Sequence, residues 1–268
     1  MFRVELIRAL SRWRTYLFAA GLAGLPILIV LSLALSSSSP PNGPDAPPFL
    51  ALILSNGLFA PLTALAVFQP FFLPLGAGLL SGDSIAGEAS AGTLRYLLVR
   101  PVSRTRLVAS KYAFVMTQVA AGVAWVVIVG LVAGGLAFGF GPIPTLSGTT
   151  LGAAETLLRI LATATYLVAG VAGIAAIGML ISVLTDSAPG AAIAPVAVAI
   201  ASQILDHVDS VRVIHPYLIS HQWLAYLDLF RSPVEWGNVL RGLVTFAIYT
   251  ALFLGAALAV FRRKDVTA

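Results

Sequence analysis

No Asp, Glu, Lys, Arg or His occurs across residues 49–80 or 112–140. A helical bilayer crossing takes about 20 mostly apolar residues, so each run is long enough to cross. Further apolar runs lie at 16–35, 156–184, 188–205 and 238–261. Only 10% of the chain is charged, against roughly 25% in an ordinary soluble domain, which excludes a soluble globule. The expectation is an all-α membrane protein with six transmembrane helices, forming one domain over 1–268. After six crossings no length is left for a nucleotide-binding domain.

The first run follows a basic start, as a secretory signal would, but it exceeds the roughly 7 to 15 residues of a signal's apolar stretch. It reads as a retained span. Ahead of it, residues 2–17 pattern as an amphipathic helix. Phe2, Leu6, Ala9, Leu10, Trp13 and Leu17 share one face, with Glu5, Arg8 and Arg12 opposite. Such a helix lies in the headgroup layer with its cations toward anionic lipid, so 1–14 is expected to be interfacial.

The second span carries Pro61, Pro70 and Pro74. Proline removes a donor and clashes one turn back, which predicts kinks. The third contains Gly130-x-x-x-Gly134 and Gly135-x-x-x-Gly139, spacings that let helix backbones approach closely. Glu155 and Arg159 stand one turn apart and should pair. Thr185-Asp186-Ser187 forms a tight turn, and Pro195 interrupts the short fifth span. Residues 206–237 are polar and aromatic and read as an extracytoplasmic segment, with Tyr217, Trp223, Tyr226 and Trp236 as interfacial anchors.

Charge tests this layout. Of sixteen Lys and Arg residues, four fall in 1–14, five in 81–111 and three in 262–268. With six spans those three segments share one side, which the positive-inside rule makes the cytoplasm. Both termini are then cytoplasmic. The net charge of +5 reports this orientation, and no nucleic-acid partner is expected.

The chain offers little for catalysis. No Gly-x-x-x-x-Gly-Lys loop is present, and the two lysines, Lys111 and Lys264, lie in other contexts, so ATP is not hydrolysed here through a P-loop. Cysteine is absent, and no span carries a His to serve an intramembrane protease. His207, Asp209, His215 and His221 fall in one segment, but their spacings match no helix-borne metal site, so neither metal nor cofactor is expected. Inside the spans stand amides such as Gln69 and Gln118. They either bond to neighbouring helices and proline-freed carbonyls or line a cavity.

The polar stretch between the second and third spans is of another kind. Glu88, Gly92, Thr93 and Leu94 are followed by Leu97, Leu98, Pro101 and Arg104. Thr93 can cap a short helix whose apolar face is Leu94, Leu97 and Leu98, and Pro101 ends it. Ser103 can cap the next span, with Arg104, Arg106 and Lys111 at headgroup level.

Those residues resemble the loop after span two in ABC-2 type transporter permeases. The layout is similar as well: an N-terminal amphipathic helix, six spans, an external segment before the sixth, and an ending of Phe261, Arg262, Arg263 and Asp265. The resemblance implies that Glu88, Gly92, Thr93, Leu94, Leu97, Leu98, Pro101 and Arg104 belong to a cytoplasmic coupling segment, 81–111, that meets an ATPase. It also implies a second permease subunit, identical or related, an export direction and a prokaryotic plasma membrane. The alternative is a non-transport membrane scaffold or assembly factor with a basic docking loop.

Overall fold

The computed structural model describes residues 13–36, 46–92, 103–141, 143–144 and 150–263. Seven α-helices account for most of them. Helix α1 is Trp13–Leu35 and α2 is Phe59–Phe68. Helices α3, Phe72–Ser90, and α4, Arg104–Phe138, follow. Then come α5, Ala153–Leu184, α6, Ala188–Asp206, and α7, Trp236–Arg263. Between α6 and α7 lie two 3-10 helices, Asp209–Tyr217 and Trp223–Phe230. Among the described residues the strands are a two-residue pair, β1 (Ile143–Pro144) and β2 (Thr150–Leu151), joined antiparallel.

Five of the helices are long and apolar enough to cross a membrane, and α2 with α3, bent by 57° at a short break, can make a sixth span. The architecture is that of a multi-pass membrane protein. The interfacial helix expected over 1–14 falls almost wholly outside the described residues.

The second span differs from its expected form. Regular helix begins at Phe59 and not at Phe49. Phe49 has φ 67°, and a 3-10 turn, Leu50–Leu52, follows it. The Asn56 side chain then accepts from the Leu58 N–H at 3.0 Å and donates to the Gly141 carbonyl, which sets the start of α2. Of the three prolines only Pro70 marks a break. Pro61 and Pro74 each occupy the third position of their helices, where the missing N–H has no intrahelical acceptor in any case. The Pro70 carbonyl is satisfied by Gln203 Nε2 of α6 at 2.7 Å.

Helix α3 also continues ten residues past the expected end of its span, through Ser81, Asp83, Ser84 and Glu88. The serines fit because their hydroxyls bond back into the helix: Ser81 Oγ to the Ala77 carbonyl and Ser84 Oγ to the Ser81 carbonyl, both at 2.6 Å. Gly92 ends the helix with φ 66°, and its N–H reaches the Ala89 carbonyl at 3.0 Å. A left-handed residue just past a helix end is the position that favours glycine.

Helix α5 is the centre of the bundle. Two thirds (67%) of its apolar window is buried, against 11% for α1 and for α7. It packs on α7 at one side and on α3 and α6 at the other. Small residues set these distances. A Cβ on Gly82 would run into the backbone of Ala191, and one on Gly178 into Ser81 Oγ. Gly130 faces Pro61, and Gly134 meets Gly57, so the first Gly-x-x-x-Gly pair joins α4 to α2 within the chain. Helix α1 is fastened to α4 by Trp125 Nε1, which donates to the Ala19 carbonyl at 2.9 Å.

The segment between α6 and α7 is not a set of surface anchors. Trp223 and Tyr226 are buried, whereas Tyr217 and Trp236 are exposed. Ile219 reaches Gly173 of α5 beside Tyr249, which stands halfway along α7. Trp223 Nε1 donates to the Gly170 carbonyl at 3.2 Å, and the Tyr166 hydroxyl to the Gln222 carbonyl at 2.6 Å. The segment is a wedge between helices. Aromatic rings with a polar atom suit interfaces, and they suit a buried site equally when that atom finds a partner.

Candidate functional site

The residues singled out in the polar stretch separate into two groups. Thr93, Leu94, Leu97, Leu98 and Pro101 lie outside the described residues. Glu88, Gly92 and Arg104 are described, and they frame that stretch from the ends of α3 and α4.

Glu88 sits in the last turn of α3 and points toward α4. Its Oε1 accepts from Lys111 Nζ at 2.7 Å, with the lysine side chain 8% exposed and the glutamate 28%. Lys111 is therefore turned inward, against α3. A lysine near a helix end ordinarily extends its ammonium toward water, and an inward one requires a paired anion. Glu88 is the third residue from the end of α3 and Lys111 the eighth of α4, so the ion pair belongs to one end of the bundle.

Arg104 opens α4. Ser103 caps that helix, its Oγ accepting from the Arg106 N–H at 3.4 Å. One Arg104 guanidinium nitrogen lies 3.4 Å from both the Phe261 and the Arg262 carbonyls. Cations near a helix C-terminus meet its unsatisfied carbonyls and the negative end of its dipole. The end of α7 is thus brought beside the start of α4.

Beneath this end, α3 is joined to α5. Ser182 Oγ accepts from the Ile85 N–H at 3.0 Å and the Ala86 N–H at 2.8 Å. Around it Ile85, Leu107, Met179, Val183, Ala257 and Phe261 form an apolar cluster drawn from α3, α4, α5 and α7.

A family model described as "Protein of unknown function (DUF2705)" matches residues 54–267. The chain belongs to that family. No curated protein matches the sequence. In this DUF2705 protein the matched region takes in α2 to α7, the Glu88–Lys111 pair and the contact of Arg104 with α7.

The two spanning amides are placed differently. Gln118 lines an open-sided apolar groove between α1, α2, α3 and α4, with Phe18, Leu22, Phe68, Phe72 and Gly122. It is the only lining residue with a polar side chain. Gln69 is not among them. It is buried at the break between α2 and α3, where its Nε2 donates to the Trp223 carbonyl at 2.7 Å.

The histidines meet around one carboxylate. His221 Nδ1 is 2.7 Å from Asp206 Oδ1 and His215 Nδ1 is 3.9 Å from it. His207 instead bonds the Gln203 carbonyl. Among the described residues no group of three or more His, Cys, Asp or Glu is arranged to hold a metal ion. The wedge is fixed at its outer edge by Arg159, which bonds the Leu229 and Arg231 carbonyls at 2.6 and 2.9 Å and pairs with Glu155 at 2.6 Å. Lys111 and the Trp223 wedge are the features sequence reasoning missed. Lys111 carried one available signal, since a lysine beside a long apolar run must either leave the bundle or find an anion within it.

Proposed function

We propose that this chain is the permease subunit of an ATP-binding cassette exporter, working with a separate ATPase and a second permease subunit, identical or related. Lipid is its solvent and the prokaryotic plasma membrane its site, with both termini cytoplasmic. The observation that carries the reading is the framing of residues 93–102. The stretch that resembles the ABC-2 coupling segment joins two helices held together by Glu88 and Lys111, and Arg104 ties the same end to α7. A load applied to that stretch would reach three helices. The concentration of Lys and Arg in 81–111 and 262–268 supports a cytoplasmic position for this end.

Nucleotide can drive such a subunit only if the ATPase binds two permease conformations differently. ATP hydrolysis is therefore assigned to the partner, and no catalytic residue to this chain. The test is co-expression with an ABC ATPase from the same genome, purification through a tag on the permease, and measurement of co-elution and ATP hydrolysis with charges placed at Leu94 and Leu97. Co-elution that those charges abolish supports the reading. A chain that elutes alone and binds no ATPase belongs instead to the class of membrane scaffolds.

A further inference from the structure

Glu88 belongs to the stretch that resembles a docking motif, yet its carboxylate is engaged within the chain. Lys111 lies on α4, is almost fully covered, and holds Glu88 Oε1 at 2.7 Å. Removing either partner of such a pair leaves the other as an uncompensated, largely covered charge, which is costly to keep. Below it, α3 meets α5 and α6 through backbone-close contacts at Gly82 and Gly178 and through the two N–H groups on Ser182. Close-packed contacts of this kind transmit displacement and do not absorb it. At its other side α4 is bound to the end of α7 by Arg104.

We infer that Glu88 and Lys111 are a pair of positioning residues that lock the end of α3 to the start of α4, so that motion of the coupling stretch reaches both helices as one body. Glu88 acts inward and is not part of the ATPase docking surface, and Lys111 is its functional partner. The inference rests on the permease reading.

The experiment uses the full chain with its ATPase in lipid nanodiscs. Four variants are compared: Glu88→Gln, Lys111→Met, the neutral pair Glu88→Gln/Lys111→Met, and the exchanged pair Glu88→Lys/Lys111→Glu. Three quantities are read: the dissociation constant for the ATPase, permease-dependent ATP hydrolysis, and the thermal midpoint of the permease alone. Expected is ATPase binding within about twofold of the parent throughout, with hydrolysis reduced at least about fivefold in both single variants. The exchanged pair restores hydrolysis. The neutral pair recovers the thermal midpoint but not the hydrolysis, which a purely structural role would not produce.

Weakened ATPase binding in Glu88→Gln but not in Lys111→Met overturns the inference, because it makes Glu88 a docking contact. So does an exchanged pair with the parent's thermal midpoint and the single variants' hydrolysis. A parent chain that binds no ATPase overturns the permease reading and this role with it, and that outcome is distinct because it is seen before any substitution.

Discussion

The side-chain amide of Gln69, at the break between α2 and α3, donates to the backbone carbonyl of Trp223 at 2.7 Å. One bond joins the bent span to the wedge. Among the described residues its Oε1 has no partner, so the donor carries the whole contribution. Gln69→Met keeps the volume and removes the donor to the Trp223 carbonyl. It should lower stability by about 0.5–1.5 kcal/mol, measured as a fall in the thermal midpoint in detergent. A midpoint equal to the parent's would show that the bond contributes nothing.

Gly134 tests the packing of α4 on α2. A Cβ there would collide with the Gly57 carbonyl, and would lie 2.7 Å from Ala60 Cβ. Gly134→Ala should cost about 1–3 kcal/mol through overpacking. Gly21→Ala in α1 has open space around it and serves as the control, with no loss expected. Thermal midpoints of the two variants side by side decide the matter.

Arg159 should hold the outer edge of the wedge through geometry more than through charge. Lysine at this position keeps the charge but lacks the planar fork that reaches two carbonyls and Glu155 together. Arg159→Lys is expected to speed amide hydrogen exchange across residues 223–230 while leaving α3 unchanged. Uniform acceleration in both regions would mean global loosening.

Tyr226 predicts an alkaline effect. Burial raises its phenol well above the ordinary 10.0, and among the described residues its hydroxyl has no hydrogen-bond partner. A group with a higher pKa folded than unfolded leaves stability intact below the unfolded value and removes it as pH rises beyond. The midpoint should therefore fall above about pH 10, and Tyr226→Phe should flatten that fall while changing little at neutral pH. An unaltered slope in the variant would assign the alkaline loss to other groups.

The long apolar runs were legible because the bilayer length imposes them. Helices α5, α6 and α7 each begin and end within three residues of the sequence reading. Local pairs were legible too: Ser103 caps α4, and Glu155 meets Arg159 at one turn's spacing. Most of what escaped depends on contacts distant in sequence, the extension of α3 being the local exception. The position of the break among Pro61, Pro70 and Pro74 depends on where each helix starts, which Asn56 settles through Gly141. The extension of α3 depends on serines bonding back to its own carbonyls, a choice that composition alone reads as loop. Glu88 finds Lys111 only when two helix ends meet, and Trp223 is buried only because Gly170 and Gln69 offer it partners.

The position of α5 at the centre of the bundle sets an order on biosynthesis. Its covers on one side, the wedge and α7, leave the ribosome after it does, and α7 is complete only at Arg263. At about 5–20 residues per second, several seconds pass between the emergence of Leu184 and that of the last cover. Throughout that interval the glycine- and alanine-rich face of α5 is open to lipid and to other chains. A nascent chain stopped before α7 would display its most closely packed surface to the membrane, which makes α5 the segment by which quality-control machinery would recognise an unfinished molecule.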